Sequence, residues 1–65
     1  MYSVKVYNRN NAVMIDSTVF PTRSQADEHY LSVGFGEGYW AEIHKEFLGY
    51  SIMQASTVDL TMSVV

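Results

Sequence analysis

Cysteine is absent from this 65-residue chain, which excludes disulfides, iron–sulfur clusters and thiolate zinc sites. Small folds often use such staples, because a chain this size buries only about 60% of the surface its unfolded form exposes. Bases are scarce too. Lys5, Arg9, Arg23 and Lys45 are the only four, against seven acids, for a net charge of −3. They form no patch, and phosphate contacts supply most nucleic-acid affinity. No nucleic-acid partner is therefore expected, and −3 is too little charge to imitate a duplex. No apolar run approaches the roughly 18 residues a membrane helix needs. Met1 leads into polar alternation rather than a basic and then apolar signal segment. The expectation is a soluble, cytoplasmic protein with no membrane partner. Proline occurs once, at Pro21, and no repeat, linker or low-complexity tract divides the chain. Residues 1–65 read as one domain.

Apolar residues are plentiful by contrast. They make up 48% of the chain, and nine of them are aromatic. So small a body is mostly surface and cannot hide all of them in one core. Large exposed apolar patches mark interaction sites.

The pattern along the chain predicts an α+β fold. Tyr2, Val4 and Val6 alternate with Ser3, Lys5 and Tyr7, the mark of a strand with one apolar face. Asn8-Arg9-Asn10-Asn11 reads as a hairpin loop, and residues 12–19 as the return strand. Folding about that loop pairs Tyr7 with Ala12, Val6 with Val13, Val4 with Ile15 and Tyr2 with Ser17. Val13 and Ile15 then join Val4 and Val6 on the core face, and Lys5, Tyr7, Met14 and Asp16 take the other. Thr22 and Gln25 fit a capping box, with Asp27 and Glu28 near the positive end of the helix dipole. Ala26, Tyr30 and Val33 recur at helical spacing, and Gly34 is the expected stop. The helix is thus residues 23–33. Residues 39–47 form a third strand, with Tyr39, Ala41 and Ile43 on one face and Trp40, Glu42, His44 and Glu46 on the other. Leu48-Gly49 turns into a fourth strand near residues 50–54. A strand-like tail alternates Val58, Leu60, Met62 and Val64 against Thr57, Asp59, Thr61 and Ser63. The handedness rule for crossovers then gives a single small β-β-α-β-β domain. Its antiparallel sheet has the order 2-1-3-4, one helix packed on one face, and a C-terminal strand-like segment.

Motifs with chemical meaning are few. Gly34-Phe35-Gly36-Glu37-Gly38 follows a helix instead of opening one, so it lacks the helix N-terminus that a phosphate loop needs. It reads as a cap and connector. Glu42, His44 and Glu46 share one strand face, but neighbours there sit roughly 6.5–7 Å apart and are expected to diverge into solvent. No metal, cofactor or catalytic residue is expected, because no nucleophile motif accompanies the two histidines.

The face opposite the helix is the candidate site. It gathers Tyr7, Met14, Trp40, Glu42, His44 and Met53, with Tyr50 as the alternative to Met53. Tyr, Trp and Met are the types enriched at protein interfaces. The reading is a non-enzymatic protein-binding module that occludes a partner's surface, itself a homodimer or higher homo-oligomer. Small proteins of this kind are often viral or mobile-element inhibitors of host factors or defence systems, a prior that no residue here supplies. The alternative is a homo-oligomeric binder of a small, nucleotide-like ligand. It would use Trp40, Tyr39, the glycine loop and Arg9 or Arg23.

Overall fold

Thr22 ends an extended stretch (φ −125, ψ 154), and its hydroxyl oxygen accepts the Gln25 N–H at 3.3 Å. That bond satisfies one of the free donors that open every helix. Helix α1 (Arg23–Val33) follows directly. In the computed structural model, which describes residues 1–34 and 36–58, it is preceded by β1 (Tyr2–Asn8) and β2 (Met14–Phe20). It is followed by β3 (Tyr39–Phe47) and β4 (Tyr50–Ser56). All strand pairs are antiparallel and the sheet order is β2-β1-β3-β4, as the sequence implies. Among the described residues no helix is long and apolar enough to cross a membrane.

The helix buries Ala26 and Tyr30 against Val4 and Val6 of β1 and Ala41 and Ile43 of β3. Tyr2, Phe20, Val33, Tyr39 and Ala55 pack around this core. Two expected details of the helix differ. No acidic residue lies in its first turn. Asp27 sits one turn in and accepts from Arg23 Nε at 2.8 Å, an exposed i,i+4 pair. Gly34 does end the helix, though with ordinary right-handed angles (φ −73, ψ −18). Its missing side chain is needed for a close approach instead. A Cβ there would lie 2.7 Å from both Thr57 Cγ2 and the Tyr30 carbonyl oxygen.

Thr57 was expected on the polar side of a strand-like tail. It lies just past β4 and is fully buried. Its hydroxyl accepts the Ala41 N–H at 3.0 Å, and its own N–H donates to the Ala41 carbonyl at 3.0 Å. Residues 59–65 of the expected tail lie outside the described residues.

The first hairpin has the expected strands in a different register. Observed partners are Tyr7–Met14, Val6–Asp16, Val4–Thr18 and Tyr2–Phe20. Two local events cause the change. Asn11 Oδ1 accepts the Val13 N–H at 3.0 Å and Ala12 takes a left-handed φ of 58, so Ala12 and Val13 are used up in the loop. That shift of two residues preserves the faces. A bulge between Val6 and Tyr7 then adds Ile15 as an unmatched residue, and an odd slip reverses the faces. Val13 and Ile15 are therefore not core residues; they are 55% and 56% exposed. Asp16 moves to the helix side of the sheet, opposite Val6. Phe20, treated only as a strand end in the sequence, supplies the apolar contact that Ile15 was meant to give.

This register has a direct test. Val6→Asp puts an unpaired charge into the core and should abolish the cooperative thermal transition seen by circular dichroism. Ile15→Asp, at an exposed bulge, should change stability by no more than about 0.5 kcal/mol. Equal damage from both would restore the expected pairing. At the helix start, Thr22→Ala should cost about 0.5–2 kcal/mol in denaturant melts.

Candidate protein-binding surface

Cross-strand register places every candidate residue on the face away from the helix. Tyr7 pairs with Met14 on one side and Trp40 on the other. Glu42 lies opposite Lys5, and His44 lies between Ser3 and Met53. All six expected residues share this face, with Met53 as the β4 member. Tyr50 pairs with Phe47 and falls on the helix side instead, where their rings stack at 4.8 Å.

At the centre, Tyr7 and Trp40 stack with ring centroids 5.2 Å apart and planes 17° from parallel. The Arg9 guanidinium lies 5.8 Å from the indole centroid, and Arg9 Nη2 donates to the Tyr39 carbonyl at 3.5 Å. Arg9 N–H donates to the Gly38 carbonyl at 2.8 Å. Arg9, Tyr39 and Trp40 of the alternative ligand site are thus brought together beside Gly38. Arg23 is elsewhere, 5.9 Å from the Tyr2 ring centroid.

Glu42 and His44 do not diverge. Glu42 Oε1 lies 2.9 Å from His44 Nε2, and Glu42 Oε2 accepts Trp40 Nε1–H at 3.3 Å. The two side chains are only 20% and 14% exposed. The strand spacing would hold short side chains apart, but the long Glu42 side chain closes the gap. A carboxylate oxygen accepts, so the Nε2 of His44 is the donor in this contact. Nδ1 is buried without a hydrogen-bond partner among the described residues.

A carboxylate-oriented imidazole is half of an acid–base device. Ser3, directly across from His44, is buried, and its hydroxyl donates to Glu46 Oε2 at 2.6 Å. Among the described residues no group of three acidic, cysteine or histidine side chains is placed to hold a metal. The polar row has a structural consequence. It fixes the indole edge and ties alternate residues of β3 together.

Apolar side chains border this row. Met14, Ile15 and Val19 of β2 are each about half exposed, as is Met53 of β4. Ile15 and Val19 were missed as surface residues, because only the bulge reveals which way β2 faces. On the other side of the sheet lies an open cleft of about 370 Å³ lined by Phe20, Gln25, Glu28, His29 and Ser32. None of the candidate residues reaches it. No protein-family model matches the chain, and no curated protein or solved structure matches it. A strand-and-helix plan of this sort carries no function by itself, so the reading rests on these residues.

Two outcomes follow for the Tyr7–Trp40 pair. A double-mutant cycle with Tyr7→Leu and Trp40→Leu should give a coupling of about 0.5–1.5 kcal/mol. Burial, and then the charge of Glu42, hold the Tyr7 phenol above its ordinary value of 10.0. Folding thus favours the neutral ring. Its contribution is complete below pH 10 and is lost as pH climbs through the raised value. Tyr7→Phe should make the alkaline side of the stability–pH curve shallower without altering the neutral region, the likewise raised Tyr30 phenol keeping part of the slope.

Proposed function

We propose that this chain is a small non-enzymatic protein-binding module that works by occluding a partner's surface with the open face of its sheet. The carrying observation is the convergence on one face, away from the helix, of Tyr7, Met14, Trp40, Glu42, His44 and Met53. Trp40 is the anchor. Its ring is held by Tyr7 and its N–H by Glu42, so little side-chain freedom is left to lose on binding. Exposed methionines on both flanks adapt to an irregular partner surface. Inhibition of a host factor by steric blocking suits such a body, which needs no catalytic group.

Trp40→Ala tests this reading. The variant should keep its far-ultraviolet circular dichroism and lose partner binding by about 2 kcal/mol or more, as for a hot-spot residue. The binding assay uses the protein recovered by affinity capture with wild-type bait. A Trp40→Ala protein that is folded and binds that partner with wild-type affinity would move the functional surface elsewhere. A panel of nucleotides addresses the alternative. Specific binding raises the melting temperature by mass action, by about 2.7 kcal/mol of stability at a hundredfold excess over Kd.

A further inference from the structure

The two outer strands of the sheet are defended unequally. An edge strand presents unpaired backbone groups, and proteins blunt it with charge, proline or bulges. β2 carries Asp16, a bulge at Ile15 and Pro21 immediately after its end. β4 (Tyr-Ser-Ile-Met-Gln-Ala-Ser) has no charged residue and no proline, and its only device is one bulge. Its apolar residues are exposed on both faces: Tyr50 59% and Ile52 48% on the helix side, Met53 54% on the other. The end of β3 adds Phe47 at 38%, and the turn after it Leu48 at 101%.

We propose that the outer edge of β4 pairs antiparallel with β4 of a second copy, forming a continuous eight-stranded sheet about a two-fold axis. Four observations favour a second copy as the occupant. First, the edge offers backbone donors and acceptors, which only another strand matches along its length. Second, an uncharged strand set antiparallel to itself opposes no like charges. Third, Phe47, Leu48, Tyr50 and Ile52 are all exposed along the helix side of this strand and at the turn before it, where a second strand's side chains would lie against them.

The fourth observation is geometric. Gly34 meets Thr57 just past β4, so this flank of α1 faces the β4 edge. Leu31, three residues earlier on the same flank, is 60% exposed. Antiparallel pairing brings the Phe47–Tyr50 end of each hairpin to the Thr57 end of the other copy's β4. The stacked pair then lies toward the second copy's Leu31, so apolar groups that a single copy leaves bare cover each other.

A two-fold axis that makes an antiparallel sheet stands normal to it. Both open faces therefore lie on the same side, and the dimer presents two Trp40 surfaces in parallel. The pairing itself does not depend on how the open face is read.

Analytical ultracentrifugation is the test. The wild-type protein should sediment at twice 7.4 kDa in the micromolar range. Ile52→Lys places like charges at the seam and should raise the dimer Kd at least about tenfold, with circular dichroism unchanged. Val19→Lys on β2 and Trp40→Ala on the open face should both remain dimeric. This separates failure of the seam from failure of the binding face. Hydrogen exchange on the wild-type protein needs no variant. β4 amides should gain protection as concentration rises, while β2 amides should not. A monomer at all concentrations with protected β4 amides would assign the edge to the chain's own C-terminal segment and overturn the proposal. So would a dimer that survives Ile52→Lys but is lost in Val19→Lys.

Discussion

An α-helix with its side chains is about 10–12 Å across, and neighbouring strands lie about 4.8 Å apart. One helix therefore covers two strands of a four-stranded sheet. Everything else in this molecule adjusts to that mismatch. The fully covered strands are β1 and β3, and they supply all four buried apolar residues of the sheet: Val4, Val6, Ala41 and Ile43. The outer strands contribute only at their margins, Phe20 from β2 and Ala55 from β4. The remaining apolar residues of the outer strands stay near the surface because no second layer is present among the described residues to cover them.

The face of the central strands away from the helix is stabilised by a different means. Its positions are filled by side chains that tolerate partial wetting and bind one another. Trp40 stacks on Tyr7 and donates to Glu42, Glu42 accepts from His44, and Ser3 donates to Glu46. Each contact crosses between strands or links alternate residues of β3, so the face is stiff without being dry. Ser3, small and 2% exposed, lets the long flanking side chains close over the strand. Two aromatic rings in a polar frame are also what an interface centre needs. The contacts that hold this face are thus the ones the proposed partner binding would use.

The sequence reveals features governed by local rules and hides those governed by one irregularity. The capped helix, the faces of β3 and the sheet order follow from spacing, cap chemistry and crossover handedness, and the structure agrees with each. The register of the first hairpin also looked local, yet it hinged on an Asx turn at Asn11 and an unmatched Ile15. A bulge adds one residue, and no alternation pattern shows where it goes. Placing Tyr7, Met14, Trp40, Glu42, His44 and Met53 on one face was possible because parity alone decides it. For Met14 the expected and observed pairings agree on the face while differing in partner. The Glu42–His44 contact was not legible, because it depends on side-chain torsions that spacing does not specify. Thr57 was not legible either. Its burial follows from the close approach of Gly34, a glycine that sequence logic assigns to the helix stop alone.

A thin core also couples stability to association. At roughly 0.05–0.15 kcal/mol per residue, a chain of this length holds about 3–10 kcal/mol in total. A ligand present at a hundred times its Kd adds about 2.7 kcal/mol to that. Occupation of the open face or of the β4 edge is therefore comparable with the stability of the fold itself. The apolar residues at those places are an expense to the free protein, since hydrophobic groups left in water promote aggregation. Replacing them with charges would make a better-behaved monomer at little structural cost, because none belongs to the buried core. Their presence at exposed positions beside a rigid aromatic pair is therefore not required by the fold. It is what the proposed binding role accounts for.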